Sequence, residues 1–530
     1  MSSDMSTGAG LTRNPTRSTL PDTSLNSARR ARELAELAAG RSVDLLVVGG
    51  GVTGTGVALD AASRGLSVAL VERGDLAHGT SRFSSKLVHG GLRYLASGNV
   101  GLAHESARER EILLRVTAPH LVRPLPMVLP LYAETSPTQA AVLRAGLRAG
   151  DALSALSGTA ARRLPRSRRL SRHETQALVP GLRRRGLRGG LLCFEGQLVD
   201  DARLVVALAR TGAGQGARIL TRCTAETIDG TGASIADLVG GQRLQIQARA
   251  VVNATGVNAG DLVSDVQLRP SRGSHLVLDQ ASTGIAHAAV MLPIPNTSNR
   301  FAFALPQQDG RLYAGITDEP LPGPAPEVVE VPETDIQFLV KTLGSVLQTP
   351  PQRSDVQGAF AGLRPLLDGG AGTSADLSRR HTVVTSTEGV VTVVGGKLTT
   401  YRKMAAEAVD TALARTGLPA GASRTRRLPL VGAAPPERLE RLEAPRQLVA
   451  RYGSEAPRVL AEAGGDSDLL TEIACGVTGA ELRFAVRHEG ARSVADLLER
   501  RTRIGLVADD YARAEPAARA ALAVEELGSR

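Results

Sequence analysis

VDLLVVGGGVTGTGVALDAASRGLSVALVE, residues 43–72, carries a complete strand–loop–helix–strand unit. Val43 to Val48 form an apolar run of the kind buried on both faces of a parallel sheet. Gly49, Gly51 and Gly54 follow in GGGVTG. The first permits a tight turn, the second lets backbone approach a pyrophosphate, and the third lets the next helix pack on the strand. That helix is expected from Val52 to Arg64, with its N-terminal N–H groups aimed at phosphate and Gly65 ending it. A second strand, Ser67 to Val71, stops at Glu72, whose carboxylate can accept both hydroxyls of an adenosine ribose. A glycine triplet alone is a weak signal. Strand, glycines, helix, second strand and terminal acid in register are a strong one, and the stretch reads as an ADP-binding βαβ unit.

Upstream, residues 1–27 are rich in Ser, Thr, Asn, Pro and Gly and are expected to be disordered. Their arginines give a faint likeness to a mitochondrial transit peptide, against which stand Asp4, Asp22 and the lack of a sustained amphipathic helix. Residues 28–39 form a short helix leading into the first strand. Downstream, HGTSRFSSKLVHGGLRYL (78–95) has neither a helical nor a strand period. It sets Thr80, Ser81, Ser84, Ser85 and Lys86 beside the Gly90-Gly91 turn. Such a loop can wrap the phosphates and ring system of a dinucleotide, or be an ordinary surface loop.

Further along, helices are expected at 103–116, 140–157 and 198–211, and a strand at Val128 to Tyr132. Leu143, Leu147, Leu153 and Leu156 give the 140–157 helix an apolar face. A small β region begins at Ile219. Ala250 to Asn253 reads as another buried strand, which runs into Ala254-Thr255-Gly256 and brings a second contact to the nucleotide, so that domain is discontinuous. Residues 270–320 read as antiparallel sheet, with His275 near a strand start and a hairpin around Asp309-Gly310. Thr334 to Gln337 resembles a capping box opening a helix to about Leu347. A hairpin across 387–389 leads into GGKLTTYRK, where strand, glycines, Lys397, hydroxyls and helix repeat the opening logic. From about Arg424 the chain reads as short helices forming a small separate cap.

The 530 residues, 42% of them apolar, suffice for two to four domains. Net charge is +10 and the pI about 10.1, yet only four residues are lysine against 59 arginines. Such a bias is a compositional habit, so arginine number by itself is poor evidence of function. Two of the four lysines, Lys86 and Lys397, fall in glycine- and hydroxyl-rich loops, where a compact ammonium serves better than a fork. Cys193, Cys223 and Cys475 are far apart, which suggests neither disulfides nor a metal site and fits a reducing compartment. No apolar stretch reaches the ~18 residues needed to span a bilayer, and no secretory signal is evident. Between Arg144 and Arg188 twelve arginines face only Asp151 and Glu174. This tract is a solvated surface, a contact for an anionic membrane, or a nucleic-acid site; the lack of aromatic residues counts against single-stranded nucleic acid.

GGGVTGTG, TSRFSSKLVHGGLRYL, EGQLVDDARL, VNATG, RGSH, GLRPL and VVGGKLTTYRK, in this order, resemble the FAD-dependent, membrane-associated glycerol-3-phosphate dehydrogenases from about Asp44 to Ala406. The 17 residues between Gly54 and Glu72 match the flavoprotein form of the fingerprint. The resemblance implies α/β and α+β architecture. A Rossmann-like FAD domain of the glutathione-reductase/D-amino-acid-oxidase type (42–110, 195–265, 380–415) would follow an N-terminal extension (1–41). An antiparallel-sheet substrate domain (111–194, 266–379) and a helical C-terminal domain (424–530) complete the chain. It further implies oxidation of sn-glycerol 3-phosphate to dihydroxyacetone phosphate, with electrons passed to quinone. An oxidase giving electrons to oxygen is the alternative, although the insertion typical of that family is not found; a basic nucleic-acid-binding flavoprotein is a more remote one.

On this resemblance the cofactor contacts are Gly49, Gly50, Gly51, Thr53, Gly54, Glu72, Thr80, Ser81, Ser85, Lys86, Gly256, Gly396, Lys397, Leu398 and Thr399. A phosphate substrate needs planar, permanent cations, which points to Arg93, Arg364 and Arg379. Arg380 stands where the family more often has an acid. His275 is the candidate base, since imidazole takes up protons near neutrality. Tyr94 would line the pocket, and Lys397 would stabilise reduced flavin or lower the alcohol pKa. No metal and no nucleic acid are expected. The implied setting is the cytoplasmic face of the inner or plasma membrane, peripherally attached, with a homodimer as one option.

Overall fold

The computed structural model describes residues 22–90, 99–158, 164–294, 297, 300–368 and 381–528. Arg93, Tyr94 and Arg379 lie outside the described residues, as do Arg162 and Arg163 of the basic tract. In chain order the chain opens with α1 (Ser27–Ala38), β1 (Val43–Val48), α2 (Val52–Ser63), β2 (Val68–Glu72), β3 (Leu87–Val88) and α3 (Val100–Ile112). Next come β4 (Val122–Tyr132), α4 (Pro137–Leu156), β5 (Arg168–Leu170), α5 (Arg172–Leu178), β6 (Leu187–Leu198) and α6 (Asp201–Gly214). Then follow β7 (Arg218–Thr221), β8 (Cys223–Asp229), β9 (Gly232–Asp237), β10 (Arg243–Asn253), β11 (Ser271–Asp279), β12 (Ala289–Pro293), β13 (Phe301–Pro306) and β14 (Arg311–Gly315). The chain continues through β15 (Glu319–Pro320), α7 (Glu333–Gly344), β16 (Gly358–Arg364), β17 (His381–Thr385), β18 (Val391–Gly395) and α8 (Tyr401–Thr416). The longer helices after it are α9 (Arg446–Tyr452), α10 (Gly479–Glu489) and α11 (Ala508–Gly528).

One sheet runs β17-β18-β10-β1-β2-β7, with β1 parallel to both β10 and β2. Every residue of β1 but Asp44 is buried, each Val or Leu contributing about 1.5–3 kcal/mol relative to exposure. This burial on both faces explains the unbroken apolar run. α2 and α8 pack together where Gly56 faces Tyr401; a Cβ at Gly56 would stand 3.0 Å from the ring. The second sheet runs β15-β11-β14-β13-β12-β4-β6-β3, with β16 on the other side of β11. Leu87–Val88 and Glu195–Leu198, inside segments assigned from sequence to the nucleotide domain, are strand residues of this second sheet, because β6 stays in register with β4 through Leu198.

Three expectations change. The helix after Pro332 starts at Glu333, with Pro332 at its N-cap and no side-chain cap, so Thr334 sits inside the first turn. Residues from Asp22 are ordered: Ser24 Oγ lies 2.9 Å from His488 Nδ1, and Leu25 bridges to Glu489. The C-terminal region is docked, not separate. Arg203 holds Glu489 at 2.6 and 2.9 Å, Arg210 holds Glu455 likewise, and Arg501 holds Asp75 at 2.8 and 2.9 Å, all largely buried. Helical periodicity carries no information about which charges such faces will meet.

Candidate functional site: a nucleotide cradle joined to a buried histidine

The loop after β1 has no room for side chains. Gly49 has φ +114°, and a Cβ there would approach Ala254 O to 2.6 Å; at Gly54 it would meet Gly49 O at 1.9 Å. Gly50 N–H donates to Glu72 Oε2 (2.6 Å), and Gly74 N–H to Oε1 (2.7 Å). Burial pushes the Glu72 carboxyl above its ordinary value, and these two amides work against that. α2 is buried from Gly54 onward, but Gly51, Val52 and Thr53 at its start are half-exposed, and its N-cap glycine offers no side-chain acceptor. Ser81 Oγ accepts from Val52 N–H at 2.9 Å. Polar backbone donors, a terminal acid and a cradle that any Cβ would fill suit a dinucleotide pyrophosphate and ribose. Gly256 (φ +63°) and Gly396 (φ +75°) flank the same sheet edge, following β10 and β18. There Lys397 Nζ donates to Ser106 Oγ at 3.3 Å, Thr399 is buried, and Leu398 opens the turn into α8.

The loop at residues 80–86 continues from this cradle into the second sheet. Thr80 Oγ1 donates to Leu363 O at 2.7 Å. Ser85 Oγ lies 2.8 Å from His275 Nε2. One short loop therefore touches both the α2 N-terminus, through Ser81, and the histidine, through Ser85. His275 pairs with Phe360 across β11–β16 and with Gly315 across β11–β14. Its ring stacks on Phe360 at 4.8 Å and lies so close to Gly315 that a Cβ there would come within 2.3 Å of Cδ2. On the same face Ser271 pairs with Arg364, and Gly273 with Gly362 between the two rows. Gly273 lets Arg364 lie back across the sheet, where a Cβ would reach Nη2 at 2.6 Å. Arg364 donates to Asp318 Oδ1 (3.1 Å), Ser271 Oγ (3.3 Å) and Thr317 O (2.9 Å).

Two expectations need correction. His275 does not titrate near neutrality: full burial, then the Lys86 and Arg364 cations, push it down to about 3. It is a neutral ring, and its Nδ1 has no hydrogen-bond partner among the described residues. Lys86, expected among the cofactor contacts, has its ammonium bound within the protein. Its buried ammonium donates to Asp201 Oδ2 (3.0 Å), Arg82 O (2.9 Å) and Ser84 O (3.2 Å), behind the histidine. Burial, then Arg503, lower it to about 8 against the pull of Asp201. Asp200, Asp201, Phe360 and Arg503 are site-supporting residues that sequence reasoning passed over; only EGQLVDDARL, with its paired aspartates, offered a signal.

A family model for FAD dependent oxidoreductases matches residues 44–402, and one for the C-terminal domain of alpha-glycerophosphate oxidase matches 423–529. "Glycerol-3-phosphate dehydrogenase 1" of Mycobacterium tuberculosis is 52% identical over 499 residues, 92% of this chain and 96% of that one. The chain belongs to the FAD-dependent glycerol-3-phosphate dehydrogenase family. The family member of Pseudomonas aeruginosa is 34% identical over 493 residues, 87% of this chain and 92% of its own. The glycerol-3-phosphate dehydrogenase of Bacillus halodurans, solved with FAD, superposes with a TM-score of 0.73 at 26% identity, covering 95% of this chain and 94% of that one. FAD is the cofactor of this family, and the cradle fits it.

Proposed function

We propose that the protein oxidises sn-glycerol 3-phosphate to dihydroxyacetone phosphate and passes the electrons to a membrane quinone. The observation that carries this reading is the loop at 80–86, which ties the nucleotide cradle to a sheet face bearing His275 and Arg364. The name of the 52%-identical relative supports the substrate. FAD, when bound, supplies the acceptor for hydride from the carbinol carbon. Gly49 to Gly54, Glu72 and Ser81 hold the nucleotide, and Gly256 and Lys397 close it from the neighbouring strands. Arg364 binds the phosphate with a guanidinium fixed by Asp318 and Thr317; Arg93 and Arg379 are proposed partners in the same task. His275 takes the hydroxyl proton. As a neutral imidazole it is an acceptor from the start, and a phosphate dianion beside Arg364 offsets the cations that depress its basicity. Lys397 lowers the pKa of the alcohol.

The test is anaerobic mixing of FAD-loaded protein with glycerol 3-phosphate or glycerol. Bleaching of the flavin by the phosphate ester alone is the expected result, because remote binding energy orients the carbinol carbon. Equal bleaching by both would overturn the substrate. Stoichiometric hydrogen peroxide in air, with no turnover on a quinone, would replace the quinone by oxygen.

A further inference from the structure

Lys86, Asp200, Asp201 and Arg503 form a buried charge cluster behind His275, and one of the four comes from the docked C-terminal region. Arg503 is 5% exposed and adopts φ +64°, a backbone conformation disfavoured for any residue but glycine. Its Nη1 donates to Arg82 O at 2.5 Å, the carbonyl that also receives Lys86 Nζ. Its nearest acids are Asp200 (4.0 Å) and Asp201 (3.9 Å), and its Cζ stands 5.8 Å from the centroid of Phe360, the ring stacked on His275. Nε and Nη2 have no hydrogen-bond partner among the described residues. Arg311 fixes the segment from the sheet side by donating to Arg503 O at 2.9 Å. Glu499, from the same region, pairs with the Arg82 side chain. Loop 80–86, which carries Ser81 to the cradle and Ser85 to the histidine, is thus gripped from behind at Arg82 by two C-terminal residues. A side chain that served packing alone would not combine an unfavourable φ with two unmatched buried donors.

We propose that Arg503 is a positioning residue for the reaction: it fixes loop 80–86 so that Ser85 holds the His275 ring over Gly315 in its working orientation. The C-terminal region is then part of the active site without touching substrate. The catalytic consequence rests on the function proposed above; the positioning itself does not. Lys86, Asp200, Asp201, Arg82, His275, Arg311, Tyr313 and Glu499 are the titratable or charged groups around Arg503 among the described residues.

Arg503→Met and Arg503→Lys test it in the FAD-loaded protein. Arg503→Met is expected to slow flavin reduction about 10²-fold with FAD content and KM held within about twofold, since small misplacements of a catalytic group have that effect. Arg503→Lys, which keeps the charge and loses the fork, should recover about tenfold of that loss. Removing the cation should move the pH breakpoints of flavin reduction upward, because the acids and Lys86 all bind protons more readily without it. Independently of turnover, the ¹⁵N signals of the His275 ring, assigned with His275→Gln, should shift in both variants as the Ser85 hydrogen bond changes. Wild-type rates, breakpoints and ring signals in both folded variants would overturn the proposal. If Arg503→Met does not accumulate, Arg503→Lys and Glu499→Gln decide on the same readouts. Wild-type protein whose flavin is not bleached by glycerol 3-phosphate would sink the function and leave the ring signals to judge the positioning.

Discussion

His275 shows how far a residue's setting departs from its type. Burial, then the Lys86 and Arg364 cations, push the imidazole down to about 3 and keep it neutral. A phosphate anion beside Arg364 should offset the cations though not the burial, so the His275 ring should titrate at a somewhat higher pH in saturating inorganic phosphate than without it; an unmoved titration in NMR would separate Arg364 from the histidine. Gly315→Ala places a methyl 2.3 Å from Cδ2. The ring must swing off Ser85, and flavin reduction should fall about 10²-fold while FAD stays bound. Arg364→Ala should raise KM tenfold or more, about 1.4 kcal/mol, with the rate at saturation much less affected. The motif RGSH marked His275 from the sequence, but its basicity was not legible there, because the cations that lower it, Lys86 from the loop at 80–86 and Arg364 from β16, arrive from two distant segments. Lys86 misled for the same reason: a lysine in a hydroxyl-rich loop looks poised for phosphate until Asp201 is found beneath it.

At the scale of elements, the βαβ unit was readable almost to the residue. α2 ends at Ser63 against an expected Arg64, because alternation, glycine spacing and the closing acid are local signals. The C-terminal helices were readable only as helices. Their docking depends on arginine forks that composition had reduced to a bias: Arg203, Arg210, Arg500 and Arg501 are buried, each bound to carboxylates across the junction. Asp75 receives both Arg500 and Arg501. Asp75→Ala leaves two buried guanidinium groups short of a partner and should cost about 3–5 kcal/mol in denaturant unfolding; a loss under 1 kcal/mol would mean that water reaches the pair. Acid should act on the same junction. Asp496 is held down to about 2, below its ordinary 3.8, by Arg500, Arg501 and Arg222 against its burial. A depressed carboxyl stabilises the fold fully above its unfolded pKa. That contribution, about 2 kcal/mol, is lost as pH falls from ~4 through ~2. Asp496→Asn should flatten stability across that window and leave the neutral-to-alkaline side unchanged in slope.

At the scale of the whole molecule, the quinone proposed as acceptor would be dissolved in a bilayer, so the protein would have to reach a membrane surface. Among the described residues no helix is long and apolar enough to cross a membrane. α4 turns Leu143 and Leu147 onto the second sheet, as its spacing predicted, but Leu156 and Val142 point outward, 76% and 60% exposed. The rest of its outer face is mostly alanine and glycine, with Arg144 and Arg148 exposed among them. Nine of the ten described arginines between Arg144 and Arg188 are exposed; Arg168 is paired with Glu174, while Arg183 covers the Tyr132 ring. We propose that this face rests on anionic lipid. Each arginine near such a surface contributes roughly 1 kcal/mol, falling off within a Debye length of ~8 Å, so four of them supply about 4 kcal/mol, enough for reversible attachment. The bare apolar side chains of α4 add the interfacial half of the contact. Replacing Arg144, Arg148, Arg169 and Arg172 by Glu should release the protein from anionic liposomes at low salt and cut quinone reduction at least tenfold, while a soluble dye acceptor is still reduced at the wild-type rate. Sedimentation of the variant with anionic liposomes as fully as wild type would make the tract a solvated surface and move the quinone site elsewhere on the molecule.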